Sequence, residues 1–289
     1  MNEKKNLVVK SNRLIEASYR LTLIEQQLVL FTIVQARENQ TGLFPDAPCI
    51  IRVADFAKAY GVDGDITNLY RQLKSAIKVL FARSITIRDT DPETQLPRVT
   101  ETHWISERSY VDGAGHLGLI FAPKVIPYIT RLESEFTKYE LPKIGKLTSI
   151  YAVRLYELLV QYLEIGKRDI DVAWLRSHFE LGNAYPRIMN FKVRIIDVAV
   201  KQINQHTDIK VAYSQMKTGR NVTGFSFTIK KNIPKNPPKP KLPFIDQAFI
   251  EKNAKVGESY QQAKDRLFAE RAAAKKSNQT GFDFELPSP

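Results

Sequence analysis

The side chains best suited to specific chemistry lie in a basic stretch at 185–204, in which the spacing of the apolar residues predicts a helix over about 190–205. At about 100° per residue, one side holds the apolar residues Phe191, Ile195, Ile196, Val198, Ala199, Val200 and Ile203. The opposite side holds Asn190, Val193, Arg194, Asp197, Lys201 and Asn204. Arginine can donate two hydrogen bonds to guanine, asparagine can pair with adenine, and lysines mostly contact phosphates. The polar side therefore has the chemistry to contact and read DNA.

Further candidates flank this helix. They are Tyr185 and Arg187 ahead of it, Lys192 in its first turn, and Lys217 and Arg220 at the tip of a predicted hairpin. Asn190 is the predicted N-cap, which leaves the first amides of the helix pointing outward. The alternative interpretation is an ordinary solvated surface, because Asp197 lies three residues from Arg194 and four from Lys201 and can pair with either.

A similar helix in the first half of the chain gives a weaker version of this pattern. Its predicted core residues are Leu69, Leu73, Ala76, Ile77 and Leu80, and its predicted free side holds Arg71, Lys74, Ser75 and Lys78. We expect this second helix to bind DNA less tightly or to serve protein contacts.

Catalytic chemistry finds little support in the sequence. The four histidines are scattered, without the paired histidines of a rolling-circle nickase, and no phosphate-binding loop of an ATPase occurs. Cys49 stands alone, so we predict neither a disulfide nor a cysteine metal site, and a reducing cytosol is the expected compartment. We therefore predict no catalytic residues, no metal and no cofactor.

The elements around both helices follow one order, which is helix, strand, helix, helix, strand, strand. Thr22 opens the first copy with a capping box to Glu25, and Thr148 is expected to open the second. Each threonine is followed 12 and 13 residues later by Val-Gln. In the first copy we match Ser84–Arg88 and a hairpin near 112–115 to the β-segments 209–213 and 222–230 of the second. The fold class is thus predicted as α+β, with two tandem winged-helix domains that arose by internal duplication.

Charge and composition divide the chain of 289 residues, whose net charge is +12, into three parts. Residues 1–136 (17 basic, 16 acidic) form the first domain, and residues 137–233 (16 basic, 8 acidic) form the second. We expect each domain to bury its own core. Residues 234–289 hold a proline-rich linker at 234–243, weak helical signals with too little apolar material for a core, and a disordered end. No apolar run reaches the length of a membrane span.

Several of these segments resemble the iteron-binding plasmid replication initiators of the Rep/Pi type. They are 7–27 (LVVKSNRLIEASYRLTLIEQQ), 147–159 (LTSIYAVRLYELL), 185–204 (YPRIMNFKVRIIDVAVKQIN), Thr207-Asp-Ile-Lys-Val and Lys217-Thr-Gly-Arg220. The resemblance covers about residues 6–233 and implies that the family's reading motif falls on Arg187, Asn190, Lys192 and Arg194. Asn190 stands where an acidic residue is usual and Val193 where a basic one is frequent, so Val193 offers only an apolar contact, for example to a thymine methyl.

The resemblance also implies a role in plasmid replication in the bacterial cytoplasm. Such proteins bind direct repeats of an origin as monomers, repress their own gene as dimers through the first domain, help to open an AT-rich stretch, and recruit the host initiator and the replicative helicase. A transcriptional regulator with the same two modules is the alternative. Several direct repeats of about 20 base pairs beside the gene, spaced near whole helical turns, would favour the initiator.

Overall fold

The computed structural model describes residues 6–91, 93–130, 135–232, 246–255 and 257–277. The chain divides after Asn232 into two compact units. The predicted linker at 234–243 and the end of the chain at 278–289 lie outside the described residues.

The first half of the larger unit contains β1 (Leu7–Ser11), α1 (Asn12–Glu16), α2 (Leu23–Asn39), β2 (Cys49–Arg52), α3 (Val53–Tyr60), α4 (Ile66–Leu80), β3 (Ser84–Thr90), β4 (Pro97–His103), β5 (Ile105–Tyr110), β6 (His116–Phe121), α5 (Pro127–Thr130) and β7 (Phe136–Glu140). The second half contains α6 (Ile150–Val160), β8 (Lys167–Asp171), α7 (Val172–His178), α8 (Ile188–Phe191), α9 (Val198–His206), β9 (Ile209–Thr218) and β10 (Asn221–Lys231).

Two three-stranded antiparallel sheets have the same strand order, which confirms two winged-helix domains. The first sheet runs β2-β6-β5 and the second β8-β10-β9, so in each the strand before the helix pair lies beside the last strand of the wing. The predicted match of 84–88 to the second wing is wrong in one respect. β3 pairs with β4 in a separate two-stranded sheet, and the true wing of the first domain is β5-β6.

The two copies start their first helices differently. Thr22 caps α2 as predicted, with its hydroxyl accepting from the Glu25 amide and the Glu25 carboxylate accepting from the Thr22 amide. The matching prediction for Thr148 is wrong, because α6 begins at Ile150. The side-chain oxygen of Gln202 accepts from the amides of Thr148 and Ser149 at 2.9 and 3.1 Å, so a distant helix supplies the cap.

One contiguous apolar core runs through both winged-helix domains, contrary to the expectation of two separate cores. Buried side chains from Val8 in β1 to Ile229 in β10 belong to the same cluster. β7 lies at the predicted boundary after residue 136 and pairs with β1 in register from Leu7–Glu140 to Ser11–Phe136. The first strand of the chain is therefore fastened to the segment that leads into the second domain.

A buried polar cluster joins the two domains within this core. The ammonium of Lys10 lies 2.9 and 3.1 Å from the two carboxylate oxygens of Glu157, which also accepts from the Tyr139 hydroxyl at 2.6 Å. Arg154 donates to backbone carbonyls from both domains. Burial, together with repulsion from Arg154, lowers the pKa of His178 well below its ordinary value, so this ring is neutral. The cluster fixes how the first domain meets the second.

The smaller unit contains α10 (Gln247–Asn253) and α11 (Tyr260–Ser277), as the helical signals indicated. The expectation of too little apolar material for a core is wrong, because Ile250, Ala263 and Leu267 are buried together. Arg266 donates to both carboxylate oxygens of Glu258 at 2.8 and 2.9 Å, and its hydrogen bonds hold the pKa of Glu258 at about 2. A small core thus joins the two helices, and the bidentate ion pair fastens their connecting segment to α11.

None of the helices in the described part of the chain is both long and apolar enough to span a bilayer.

Candidate nucleic-acid interface

The recognition helix, as we call residues 188–206, comprises α8, a wider segment of π-helical turns at Lys192–Asp197, and α9. Arg187 occupies its N-cap and makes no side-chain capping bond. The prediction of Asn190 as N-cap is therefore wrong, since the helix begins two residues earlier and Asn190 lies inside its first turn. The shift moves Asn190 from the end of the helix to its exposed side.

The wide turns decide which residues face the core. Phe191, Ile195, Ala199 and Ile203 are all buried, although each step of four residues advances a regular α-helix by about 40°. A wider turn reduces this advance and keeps the series on one side. Val198, which the regular spacing placed in the core, is instead 38% exposed.

The outward side carries four polar candidates whose side chains are free. Arg187, Asn190, Arg194 and Lys201 are exposed, and none of these side chains forms a hydrogen bond or ion pair with any residue that the structure describes. Val193 lies among them and is 49% exposed. The structure thus brings these side chains together on one exposed, basic side of the helix, which can contact a polyanion.

Lys192 and Asp197 are tied to the wing instead. The Lys192 ammonium lies 2.9 Å from the Asp197 carboxylate, which also accepts a hydrogen bond from Tyr213 in β9. Burial opposes ionisation of Asp197, but hydrogen bonds from Tyr213 and Lys192 hold its pKa below the ordinary value. Asp197 therefore does not pair with Arg194 or Lys201, and those two cations stay available.

Asn204 also has a structural partner. Its side chain accepts from the Val211 amide at 2.7 Å and donates to the Val211 carbonyl at 2.8 Å, which joins α9 to β9. The prediction that Asn204 belongs to the free side is wrong for that reason.

The loop ahead of the recognition helix is held by Arg176, which the sequence analysis missed. Its guanidinium, on α7, donates to the carbonyls of Gly182, Ala184 and Tyr185 at 3.1, 2.8 and 2.8 Å. Tyr185 has a positive φ of 53° and packs its half-buried ring against the core, so its side chain is not a free contact group. No local pattern could have identified Arg176, because its acceptors are backbone carbonyls six to nine residues away.

The wing of the second domain places Lys217 and Arg220 at the end of the β9-β10 hairpin, where both are exposed. Gly219 forms the tip with a φ of 61°, a conformation that glycine adopts without strain. Neither basic side chain is paired within the described chain. The wing can therefore present two cations beyond the recognition helix.

In the first domain, α4 has the predicted core residues, and Arg71, Ser75 and Lys78 are exposed as expected. Lys74 does not lie on the free side. Its ammonium contacts the Asp112 carboxylate at 2.6 Å and lies 4.0 Å from the centre of the Tyr110 ring. The hydrogen bond to Asp112 raises the pKa of Lys74. Lys74 thus connects its helix to the wing, as the Lys192–Asp197 pair does through Tyr213 in the second domain.

Metal chemistry has no candidate within the residues that the structure covers, since they contain no cluster of three or more His, Cys, Asp or Glu side chains fit to bind a metal ion.

Comparison with known proteins agrees with this architecture. The chain is 26% identical over 238 residues to an "Uncharacterized 27.6 kDa protein" of Escherichia coli, and the alignment covers 79% of this chain and 97% of that protein. It is 27% identical over 210 residues to the "PI protein" of Escherichia coli, covering 61% of this chain and 67% of the relative. A crystal structure of the Pi initiator protein in complex with iteron DNA has the same fold, with a TM-score of 0.63 and 23% identity over 78% of this chain and 98% of that one.

Two family models match in tandem. Residues 7–160 match the first domain of initiator replication proteins, described as "Initiator Replication protein, WH1". Residues 171–229 match the second, described as "Initiator Rep protein, WH2". Because the first match alone covers more than half of the chain, the protein belongs to the family of winged-helix replication initiator proteins.

Proposed function

We propose that the protein initiates plasmid replication by binding the direct repeats (iterons) of an origin as double-stranded DNA. The observation that carries this proposal is the unpaired, exposed set of Arg187, Asn190 and Arg194 on the recognition helix, with Lys217 and Arg220 on the adjoining wing. Arginine and asparagine are the side chains that read guanine and adenine in the major groove. Membership of the initiator family and the iteron complex of the similar Pi protein support it.

The two domains would divide this work. Residues 137–233 carry most of the excess positive charge and the reading residues, and we propose that they supply the main base contacts. In residues 1–136, Arg71, Ser75 and Lys78 are exposed on α4 and would contact phosphates beside the main site. Residues 234–289 have no assigned part in binding.

Footprinting the full chain on the DNA that flanks its own gene tests the proposal. We expect several protected direct repeats of about 20 base pairs, spaced near whole turns of about 10.5 base pairs. A single protected operator without repeats would favour a transcriptional regulator, and no protection at all would refute DNA reading.

Replacing Arg194 with alanine is expected to weaken binding to one repeat by about 1–3 kcal/mol and to relax the preference at one base position. The reason is that the exposed guanidinium has no partner in the protein and is free to bind a base edge. Gel-shift titration against a panel of single-base variants of the repeat measures both effects.

Lys201→Ala is the matched control for this experiment, because Lys201 is equally exposed and unpaired on the same helix. If Lys201 contacts a phosphate, its removal should lower the affinity about equally for all variants of the repeat. It should also reduce the slope of log affinity against log salt concentration by roughly one. Equal affinity of Arg194→Ala and the parent chain for every variant would contradict the assignment of Arg194.

We infer that the protein also self-associates, through the outer edge of β5 in the first domain. β5 is the edge strand of the β2-β6-β5 sheet, and Phe81, Tyr110 and Val111 around it are 42%, 43% and 60% exposed. Within the described residues the outer edge of β5 pairs with no strand, and such an edge beside exposed apolar side chains favours pairing with the same strand of a second copy.

Ser106→Pro is expected to shift the chain towards monomer in sedimentation velocity. Ser106 lies at the bulge between Ile105 and Glu107, where it has no partner residue in β6, so a proline there is tolerated by its own sheet and blocks an added strand. Ser106→Ala should sediment like the parent. An unchanged dimer in the proline variant would exclude the β5 edge as the interface.

Autorepression, opening of an AT-rich stretch, and recruitment of the host initiator and helicase in the bacterial cytoplasm complete the proposed role. These steps are supported by membership of the initiator family. Origin opening can be tested directly by incubating purified protein with a supercoiled origin plasmid and a single-strand-specific nuclease. We expect the nuclease to cleave the opened stretch, and variants that no longer bind the repeats should show no cleavage.

A further inference from the structure

The recognition helix carries an apolar strip that the fold does not use. Met189 is 65% exposed, Val193 is 49% exposed, and Ile188 beside them is 36% exposed. None of the three belongs to the buried core or to the half-buried side chains packed against it. Three large aliphatic side chains within six residues of one helix form a local patch, which is typical of a contact surface.

The residues beside the strip indicate the charge of its partner. Met189 and Val193 are four residues apart, as are Asn190 and Arg194, so an apolar row runs beside a polar one. Arg187 and Arg194 are unpaired cations within the described residues, whereas the only acidic side chain of the helix, Asp197, is neutralised by Lys192. The surface is therefore complementary to an anionic partner that presents small apolar groups among hydrogen-bonding ones.

The major groove of DNA has this combination. Phosphates line its edges, and the thymine 5-methyl group is the apolar feature among the donors and acceptors of its base pairs. We propose that Met189 and Val193 contact thymine methyl groups next to the bases contacted by Asn190 and Arg194, so that thymines at fixed positions are part of the repeat's identity. This inference rests on the proposed DNA-reading function and adds the class of base that the apolar row selects.

The two side chains should differ in stringency. Valine is held in one rotamer in a helix, so Val193 can meet a methyl group at only one position. Methionine has three rotatable bonds and adapts to its surroundings, so Met189 tolerates a methyl group at neighbouring positions.

Replacing single thymines of the footprinted repeat with deoxyuridine tests the proposal, because the change removes only the methyl group. The full parent chain should lose about three- to fivefold in affinity at one or two positions within the site, as expected for one buried methyl. Unchanged affinity at every position would overturn the inference while leaving DNA binding, and hence the proposed function, intact. Absence of any footprint would overturn both.

Protein variants separate a direct contact from an effect on DNA stiffness. In Val193→Ala, the deoxyuridine penalty at its position should disappear, and in Met189→Ala the penalty at the other should disappear. Arg194→Ala, with both aliphatic side chains in place, should keep both penalties. Penalties that persist in both alanine variants would show that the thymines act through DNA shape, and would overturn the contact.

Discussion

Replacing Lys10 with alanine is expected to lower the free energy of unfolding of the larger unit by about 3–5 kcal/mol. The Lys10 and Glu157 side chains are 0% and 1% exposed, and the ammonium contacts both carboxylate oxygens. Without Lys10, the hydrogen bond from Tyr139 is the only one that the described residues still give the buried carboxylate. An uncompensated charge in the core costs far more than the loss of an exposed ion pair, and urea unfolding measures the difference.

A double variant shows whether charge is the cause. In Lys10→Met with Glu157→Gln neither member of the pair is charged, and the glutamine still accepts from Tyr139, so this variant should be more stable than Lys10→Ala. Lys138→Ala is the surface control, because Lys138 is exposed on the adjoining strand β7 and should change stability by less than about 0.5 kcal/mol. Equal destabilisation by Lys10→Ala and the double variant would show that side-chain packing, not the unpaired charge, dominates.

Lys10 and Glu157 also mark where prediction from the sequence stops. They are separated by 147 positions, and no local pattern indicates that two such charged residues are buried together. Nor does any local pattern indicate the surface pairing of Lys74 with Asp112, which lies in the wing. Capping of α2 by Thr22 was predictable because the two groups involved are three residues apart. Local signals thus identify the helices and strands. Contacts between residues that are distant in the sequence decide which of the charged side chains remain unpaired.

The candidate site follows the same rule. Asn190 and Arg194 are exposed as the helical spacing predicted, since both lie opposite the buried series. The spacing failed at Val198, because it assumes regular turns and the helix widens at Lys192–Asp197. Whether a helix widens depends on how residues such as Phe191 and Ile195 pack in the core, which the sequence of the helix alone does not reveal. The exposed side of the recognition helix was therefore predictable in its first turns and less so beyond them.

Arg154 gives the second large effect, because it joins three backbone carbonyls from two domains. It is 3% exposed and donates to Tyr19 and His178 at 2.6 and 2.8 Å and to Ala17 at 2.7 Å. Its guanidinium also lies 3.7 Å from the centre of the Tyr19 ring. Arg154→Leu leaves all three carbonyls buried without this donor, and each unsatisfied group costs about 1–3 kcal/mol. We expect the free energy of unfolding to fall by at least about 3 kcal/mol in urea titrations.

The lysine variant tests whether charge or shape matters at this position. A lysine keeps the positive charge but is a compact point charge on a flexible stem, so one ammonium cannot reach carbonyls spread around a planar guanidinium. Arg154→Lys should therefore lose most of what Arg154→Leu loses. Arg88→Leu provides the control, because Arg88 is exposed and its side chain makes one hydrogen bond within the described structure, to the Ser18 hydroxyl at 3.2 Å. A lysine variant as stable as the parent would mean that positive charge alone holds the domains together, and that the three directed hydrogen bonds contribute little.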